Sequence, residues 1–227
     1  MEYGEVQLRG KNMPEEFDRN ALLHSIKICG KNKDLTKGRK IHAHIIQRGL
    51  AEKDVYMSTA LISMYVKCGM LAKAQEVLEK LRFRDVVTWN TLISGYVKHG
   101  QGHEALHCYE MMQSEGFSPV DVTYICILKA CGKTCNIDKG IQIHEEIVSK
   151  GFLKKSVMLG NALVDMYIKF SMVEKAKTVL EELPVRDVVS WNALIAGYVQ
   201  QGQGNEALNC YEKMQKEGFS PDSITFN

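Results

Sequence analysis

The stretch Val86 to Val120, VVTWNTLISGYVKHGQGHEALHCYEMMQSEGFSPV, returns almost letter for letter at Val188 to Asp222 as VVSWNALIAGYVQQGQGNEALNCYEKMQKEGFSPD. The offset of 102 residues (188 − 86) runs without a gap through the chain before it: Gly38 maps to Gly140, His42 to His144, Gly49 to Gly151, Tyr65 to Tyr167 and Asp85 to Asp187. A chain that copies itself at a fixed period is a repeat array, so fold and function are read per repeat.

Each copy spells two helices. Leu92, Ile93, Tyr96 and Val97 share one face at helical spacing, and Gly100-Gln101-Gly102 ends that pattern. Glu104 then puts a carboxylate in the first turn of a second segment. There Ala105, Leu106, Tyr109 and Met112 form another apolar stripe, which stops at Gly116 with Pro119 beyond. One hairpin of about 35 residues cannot bury both stripes and must stack on a neighbour. The expected fold is all-α, an α-solenoid of stacked helix-turn-helix hairpins.

Glycine punctuation and register matching divide the chain. Residues 1–18 have no clear periodicity and contain Gly4, Gly10 and Pro14, so an irregular lead-in is expected there. Six hairpins follow, at 19–54, 55–85, 86–120, 121–156, 157–187 and 188–222. Their lengths cycle as 36, 31 and 35, twice. Residues 223–227 begin a seventh hairpin, so the chain is expected to be a piece of a longer array.

Composition sets limits. The 227 residues are 45% hydrophobic and 25% charged with a formal net charge of +2, which suits a globular chain with ample apolar surface to bury. There is no apolar run of membrane-spanning length, and the opening MEYGEVQLRGKNMPEEFD is too acidic for an Arg-rich transit peptide. The seven cysteines include no Cys-x-x-Cys, and Cys29, Cys68, Cys108, Cys131 and Cys210 fall within helical patterns, where they act as small hydrophobes in a reducing compartment.

The 36/31/35 alternation resembles the PLS class of pentatricopeptide repeat proteins. So do DVVTWNTLISGYVKHG, ALVDMYIKFSMVEKAKTVLEELPVRD and LKACGKTCNIDKGIQIHEEIVSKGF, and together they cover roughly nine tenths of the chain. Two departures stand out: Phe170-Ser171 replaces the Cys68-Gly69 of the first copy, and Val120 stands where the second has Asp222. The resemblance implies a right-handed superhelix that binds single-stranded RNA in a mitochondrion or chloroplast. It further implies a role in RNA editing or processing, with editing-factor proteins supplying any deaminase. The alternative is a tetratricopeptide-like peptide-binding scaffold, but the Trp-x-x-Leu-Gly-x-x-Tyr signature is absent: Trp89 is followed by Asn90-Thr91-Leu92-Ile93.

The resemblance also implies particular readers. In such repeats the fifth residue faces a base and the last residue supports it, one base per repeat. Here those pairs are Leu23 with Asp54, Thr59 with Asp85, Asn90 with Val120, Ile125 with Ser156, Asn161 with Asp187, and Asn192 with Asp222. An asparagine amide offers a donor and an acceptor together and suits a pyrimidine, while a hydroxyl at this position favours a purine. Read in parallel with the RNA, the expected site is 5′-N-G-Y-N-U-U-3′. Asn or Thr at a helix start also bonds its own backbone in proteins that bind nothing.

Phosphate contacts are expected from the thirteenth residues, Lys31, Lys67, Lys98, Lys133 and Lys169, with Gln200 in the sixth hairpin. The second residues Tyr56, Val87, Val122, Met158 and Val189 suit either wedging between bases or packing in the core. No catalytic or metal site is expected, and no cofactor. His144-Glu145-Glu146 spells the His-x-Glu of a zinc deaminase, but no Pro-Cys-x-x-Cys accompanies it, and Cys131 and Cys135 are separated by three residues.

Overall fold

The computed structural model describes residues 15–50 and 54–222, with side chains from residue 19 onward. Most of the expected lead-in and the start of the expected seventh hairpin at 223–227 therefore lie outside the described residues. Twelve α-helices, one short 3-10 turn and no strand are present among the described residues. They fall into two compact units, divided between Phe83 and Arg84.

The first unit holds α1 (Glu15–Asn32), α2 (Leu35–Gln47), α3 (Val55–Lys67) and α4 (Leu71–Glu79). Helix α1 begins four residues ahead of the boundary expected at Arg19. Helices α1 and α3 pack on each other, with α2 against α1 and α4 against α3.

The second unit continues with α5 (Val86–Lys98), α6 (Gly102–Ser114), α7 (Asp121–Thr134), α8 (Ile137–Ser149), α9 (Val157–Lys169), α10 (Val173–Glu182), α11 (Val188–Gln200) and α12 (Gly204–Lys216). Its odd-numbered helices pack side by side, α5 on α7, α7 on α9 and α9 on α11. Each also packs against the second helix of its own hairpin. In α6 the stripe Ala105, Leu106, Tyr109 and Met112 is buried, while in α12, the last described helix, Leu208 of the equivalent stripe is exposed.

The first helices start where the sequence register places them. Asp54, Asp85, Val120, Ser156 and Asp187, the last residues of their repeats, are the N-caps of α3, α5, α7, α9 and α11. The Asp54 carboxylate accepts from the backbone N–H of Tyr56 and Met57, that of Asp85 from Thr88, and that of Asp187 from Ser190, satisfying amides that a helix start leaves open. At the other end of α3, Gly69 takes a left-handed φ of +75°. Ser171, its equivalent after α9, takes φ +58° and carries the strain of a Cβ in that region.

The core is the two stripes. Trp89, Tyr109, Tyr124 and Tyr198 are fully buried, with Leu92, Ile93, Ile127, Leu163 and Leu194 around them. At Gly197 a Cβ would lie 2.3 Å from Ile168 Cδ1, so any larger residue there requires the Ile168 side chain to shift. Two ion pairs repeat at the 102-residue offset: Arg84 with Glu115 and Arg186 with Glu217, both at 2.7 Å. Buried hydroxyls are tied as well, Tyr109 and Tyr124 both donating to the Glu146 carboxylate, which also pairs with Lys150.

Candidate nucleic-acid interface

The first helix of each hairpin carries the candidate residues, and from α3 onward the second residue stands at its start, the fifth one turn later and the thirteenth in its last turn. All five second residues, Tyr56, Val87, Val122, Met158 and Val189, are between 55% and 76% exposed. Core packing, which the sequence allowed, is therefore not their role.

Two of the expected pairs meet. Asn161 donates from Nδ2 to both carboxylate oxygens of Asp187, at 3.1 and 3.0 Å, and Asn192 donates from Nδ2 to Asp222 Oδ1 at 2.9 Å. Asp187 thus serves two ends, since it also caps α11. Asn161 Oδ1 is buried and accepts no hydrogen bond among the described residues. An acceptor held that way is an unusual feature in a folded protein.

The other pairs are arranged differently. Asn90 does not turn to Val120; its Oδ1 accepts from Thr123 Oγ1 at 2.7 Å. Thr59 lies in the first unit, where its hydroxyl donates to the Val55 carbonyl at 2.8 Å, and Asp85 lies in the second, where it caps α5 and accepts from the Thr88 hydroxyl. Leu23 and Ile125 are half-buried and offer a base no polar atom. Asp54 instead pairs with Arg19, whose Nε lies 2.5 Å from its Oδ2. Burial pushes the Asp54 carboxyl up, but the Arg19 guanidinium and the Met57 and Tyr56 amides outweigh it and hold the group below its ordinary range.

Each expected phosphate ligand is exposed and lies in the last turn of its helix: Lys31 on α1, Lys67 on α3, Lys98 on α5, Lys133 on α7 and Lys169 on α9. They are not equivalent. Lys133 Nζ donates to the Val97 carbonyl at 3.1 Å, and Lys169 Nζ pairs with Asp165 at 2.5 Å. Lys98 has no hydrogen-bond or ion-pair partner among the described residues.

Sequence reasoning missed Thr123 and Arg19. A signal for the first was present: the third residues Thr88, Thr123 and Ser190 all carry hydroxyls, and all are fully buried. The other singled-out groups are structural. His144 Nδ1 lies 2.8 Å from the Tyr167 hydroxyl, as His42 Nδ1 does from Tyr65, and the described residues contain no group of three or more His, Cys, Asp or Glu side chains placed to hold a metal ion. No helix among the described residues is long and apolar enough to cross a membrane.

Comparison with known proteins follows the same frame. The sequence pattern described as the PPR repeat family matches residues 84–133 and 186–227, and the pattern described as the PPR repeat matches 56–86, 122–152 and 161–188. A pentatricopeptide repeat-containing protein of Arabidopsis thaliana is 40% identical over 213 residues, covering 94% of this chain and 29% of the relative. Another from that plant, named as mitochondrial, is 37% identical over 219 residues, covering 96% of this chain and 34% of the relative. The chain thus spans about a third of the length of these relatives. The crystal structure of the maize pentatricopeptide repeat protein PPR10 is similar in fold, with a TM-score of 0.78 at 22% identity over 90% of this chain and 30% of that one. PPR10 has also been solved in complex with an 18-nt psaJ RNA element.

Proposed function

The chain belongs to the pentatricopeptide repeat family, and from that membership we propose that it is a sequence-specific, single-stranded RNA-binding module that reads one base per repeat. The observation that carries the reading is the Asn161–Asp187 pair and its counterpart Asn192–Asp222. In each, a carboxylate fixes one end of an amide beside an exposed apolar second residue, Met158 or Val189. A fixed amide presents a definite set of donors and acceptors, which is what base discrimination needs. An exposed apolar side chain next to it offers a surface on which a base can stack.

The lysines supply the part that does not depend on sequence. Ammonium groups repeated at the helix ends of each unit suit a phosphate backbone even where the net charge is only +2. The fold offers RNA a row of side chains along packed helices, and the maize PPR10 complex with RNA, together with the family's repeat pattern, favours RNA over a peptide as the ligand.

On the same reading the chain belongs to the PLS class, acts in a mitochondrion or chloroplast, and directs RNA editing or processing, with the chemistry supplied by partner proteins. The 36/31/35 cycle supports the first of these statements and a relative named as mitochondrial supports the second. Selection from a randomised RNA pool tests the proposal. Enrichment of 5′-N-G-Y-N-U-U-3′ is expected, and a chain that enriches no sequence refutes it.

A further inference from the structure

Asn90 and Asn192 hold the same place in the two long copies, but Asn192 meets Asp222 while Asn90 is followed at that position by Val120. The bonds around Asn90 have a direction. The Val120 backbone N–H can only donate, and it gives its proton to Thr123 Oγ1 at 3.1 Å. The Thr123 hydroxyl, fully buried, passes its own proton to Asn90 Oδ1 at 2.7 Å. Flipping the amide would put Nδ2 against the hydroxyl and remove the acceptor its proton uses, leaving a buried donor unmade. The amide oxygen is therefore held inward, and no carboxylate takes an Nδ2 proton as Asp187 and Asp222 do for Asn161 and Asn192.

We propose that Thr123 is the positioning residue of Asn90: its hydroxyl holds the amide oxygen, so that both Asn90 N–H donors face the base and select cytosine over uracil. Cytosine places two acceptors, O2 and N3, side by side on its pairing edge, which two N–H donors of one amide can meet. Uracil sets an N3–H donor between its carbonyls, which opposes the same amide. At Asn161 and Asn192 a carboxylate takes an Nδ2 proton, so those amides do not offer a base both of their N–H donors. The inference rests on the RNA reading above and adds a residue from the next repeat to the pair that reads the third base.

The test is RNA selection by the whole 227-residue chain and its variants, with the melting temperature of each recorded. In the wild type, cytosine is expected over uracil at the third position by roughly fivefold, the ratio that one net hydrogen bond supplies. Thr123→Val removes the hydroxyl at nearly constant shape and is expected to bring that ratio close to one. Thr123→Ser, which keeps the hydroxyl, restores it. Uracil recovered under Asn161 and Asn192 stays unchanged in both. Val120→Asp supplies the missing carboxylate at an N-cap, where Asp already stands before α3, α5 and α11, and is expected to take one Asn90 N–H and bring the cytosine-to-uracil ratio down toward one. An unchanged cytosine-to-uracil ratio in Thr123→Val, with uracil still chosen under Asn161, overturns the inference and leaves the RNA reading intact. If Thr123→Val does not fold, cytosine persisting in Val120→Asp overturns it. Absence of any base choice in the wild type overturns both.

Discussion

Asn161 and Asp187, the fifth and last residues of one repeat, are joined by two hydrogen bonds of 3.1 and 3.0 Å, while the same carboxylate accepts the Ser190 backbone N–H at 3.0 Å. One side chain therefore starts α11 and orients the candidate reader on α9. The two roles need different things from it. Capping needs a single oxygen acceptor, which serine also supplies, whereas fixing the amide uses two.

Replacing Asp187 separates these roles. Asp187→Ala is expected to lower stability by about 1 kcal/mol through the lost cap and to remove the choice of uracil at the fifth base. Asp187→Ser keeps most of the stability and still loses the choice. Denaturant unfolding paired with RNA selection reads both quantities, and uracil persisting in Asp187→Ser would show that the carboxylate does not orient Asn161.

The lysines are expected to differ in weight. Across the set, affinity for RNA falls with salt at a log-log slope of roughly −3 to −4 for about five phosphate contacts on a single strand. Lys98→Ala is expected to weaken all RNA sequences alike and to flatten the slope by roughly 0.7. Lys169→Ala changes it less, because Asp165 at 2.5 Å already offsets that charge. Titrations at several salt concentrations measure the slopes, and a Lys98→Ala slope equal to wild type would leave that lysine as a solvated helix end.

The all-α fold was legible in the repeat register. Helices α3, α5, α7, α9 and α11 begin at Val55, Val86, Asp121, Val157 and Val188, the first residue of each hairpin read from the sequence, because glycine stops and apolar stripes recur at fixed offsets. The lead-in was less legible. Glu15 already lies in α1, yet Pro14 and two glycines hide any period before it. In the candidate site, the Asn161 and Asn192 pairs followed from the family resemblance applied in register. The partners of Asn90 and Asp54 did not, because Thr123 and Arg19 lie 33 and 35 residues away in sequence, and only packing of successive helices brings them near. The exposure of Tyr56 and Met158 was equally hidden, since an apolar letter does not state which side of the helix is covered.

Two histidines one period apart set an expected pH dependence. Burial holds the His42 and His144 imidazoles below their ordinary range, with Lys73 and Lys80 opposing Glu76 around His42, and Glu182 and Glu145 opposing Lys175 around His144. Each ring is neutral in the fold and meets a tyrosine hydroxyl at 2.8 Å. A folded pKa below the unfolded one means that this stability is present above about pH 6.5 and is lost as pH falls below it, by at most about 1.4 kcal/mol per pH unit per histidine. The lowered carboxyls of Asp54 and Glu146 titrate in a more acidic window and leave this one clear. Melting between pH 7.5 and 5.5 is expected to show the loss, and the double variant His42→Gln with His144→Gln is expected to flatten it. A wild-type curve without slope in that window would count against buried neutral rings.

The sixth base depends on Asn192, and a threonine already present in the chain shows what a hydroxyl does at that position. Thr59 donates its proton to the Val55 carbonyl four residues back, at 2.8 Å, so what its oxygen can give a base is acceptance. Guanine carries adjacent N1–H and N2–H donors on its pairing edge, whereas uracil carries one donor between two acceptors. In Asn192→Thr the hydroxyl is expected to turn to the Val188 carbonyl in the same way, and Asp222 loses the amide that now donates to it at 2.9 Å. The preferred sixth base then moves from uracil toward guanine, by on the order of 1 kcal/mol, the net worth of one hydrogen bond. The other five positions stay as they are, since Thr59, Asn90 and Asn161 are held by their own neighbours and Leu23 and Ile125 offer no polar atom. Selection on wild type and variant measures this, and recovery of the same sixth base from both proteins would exclude Asn192 as its reader.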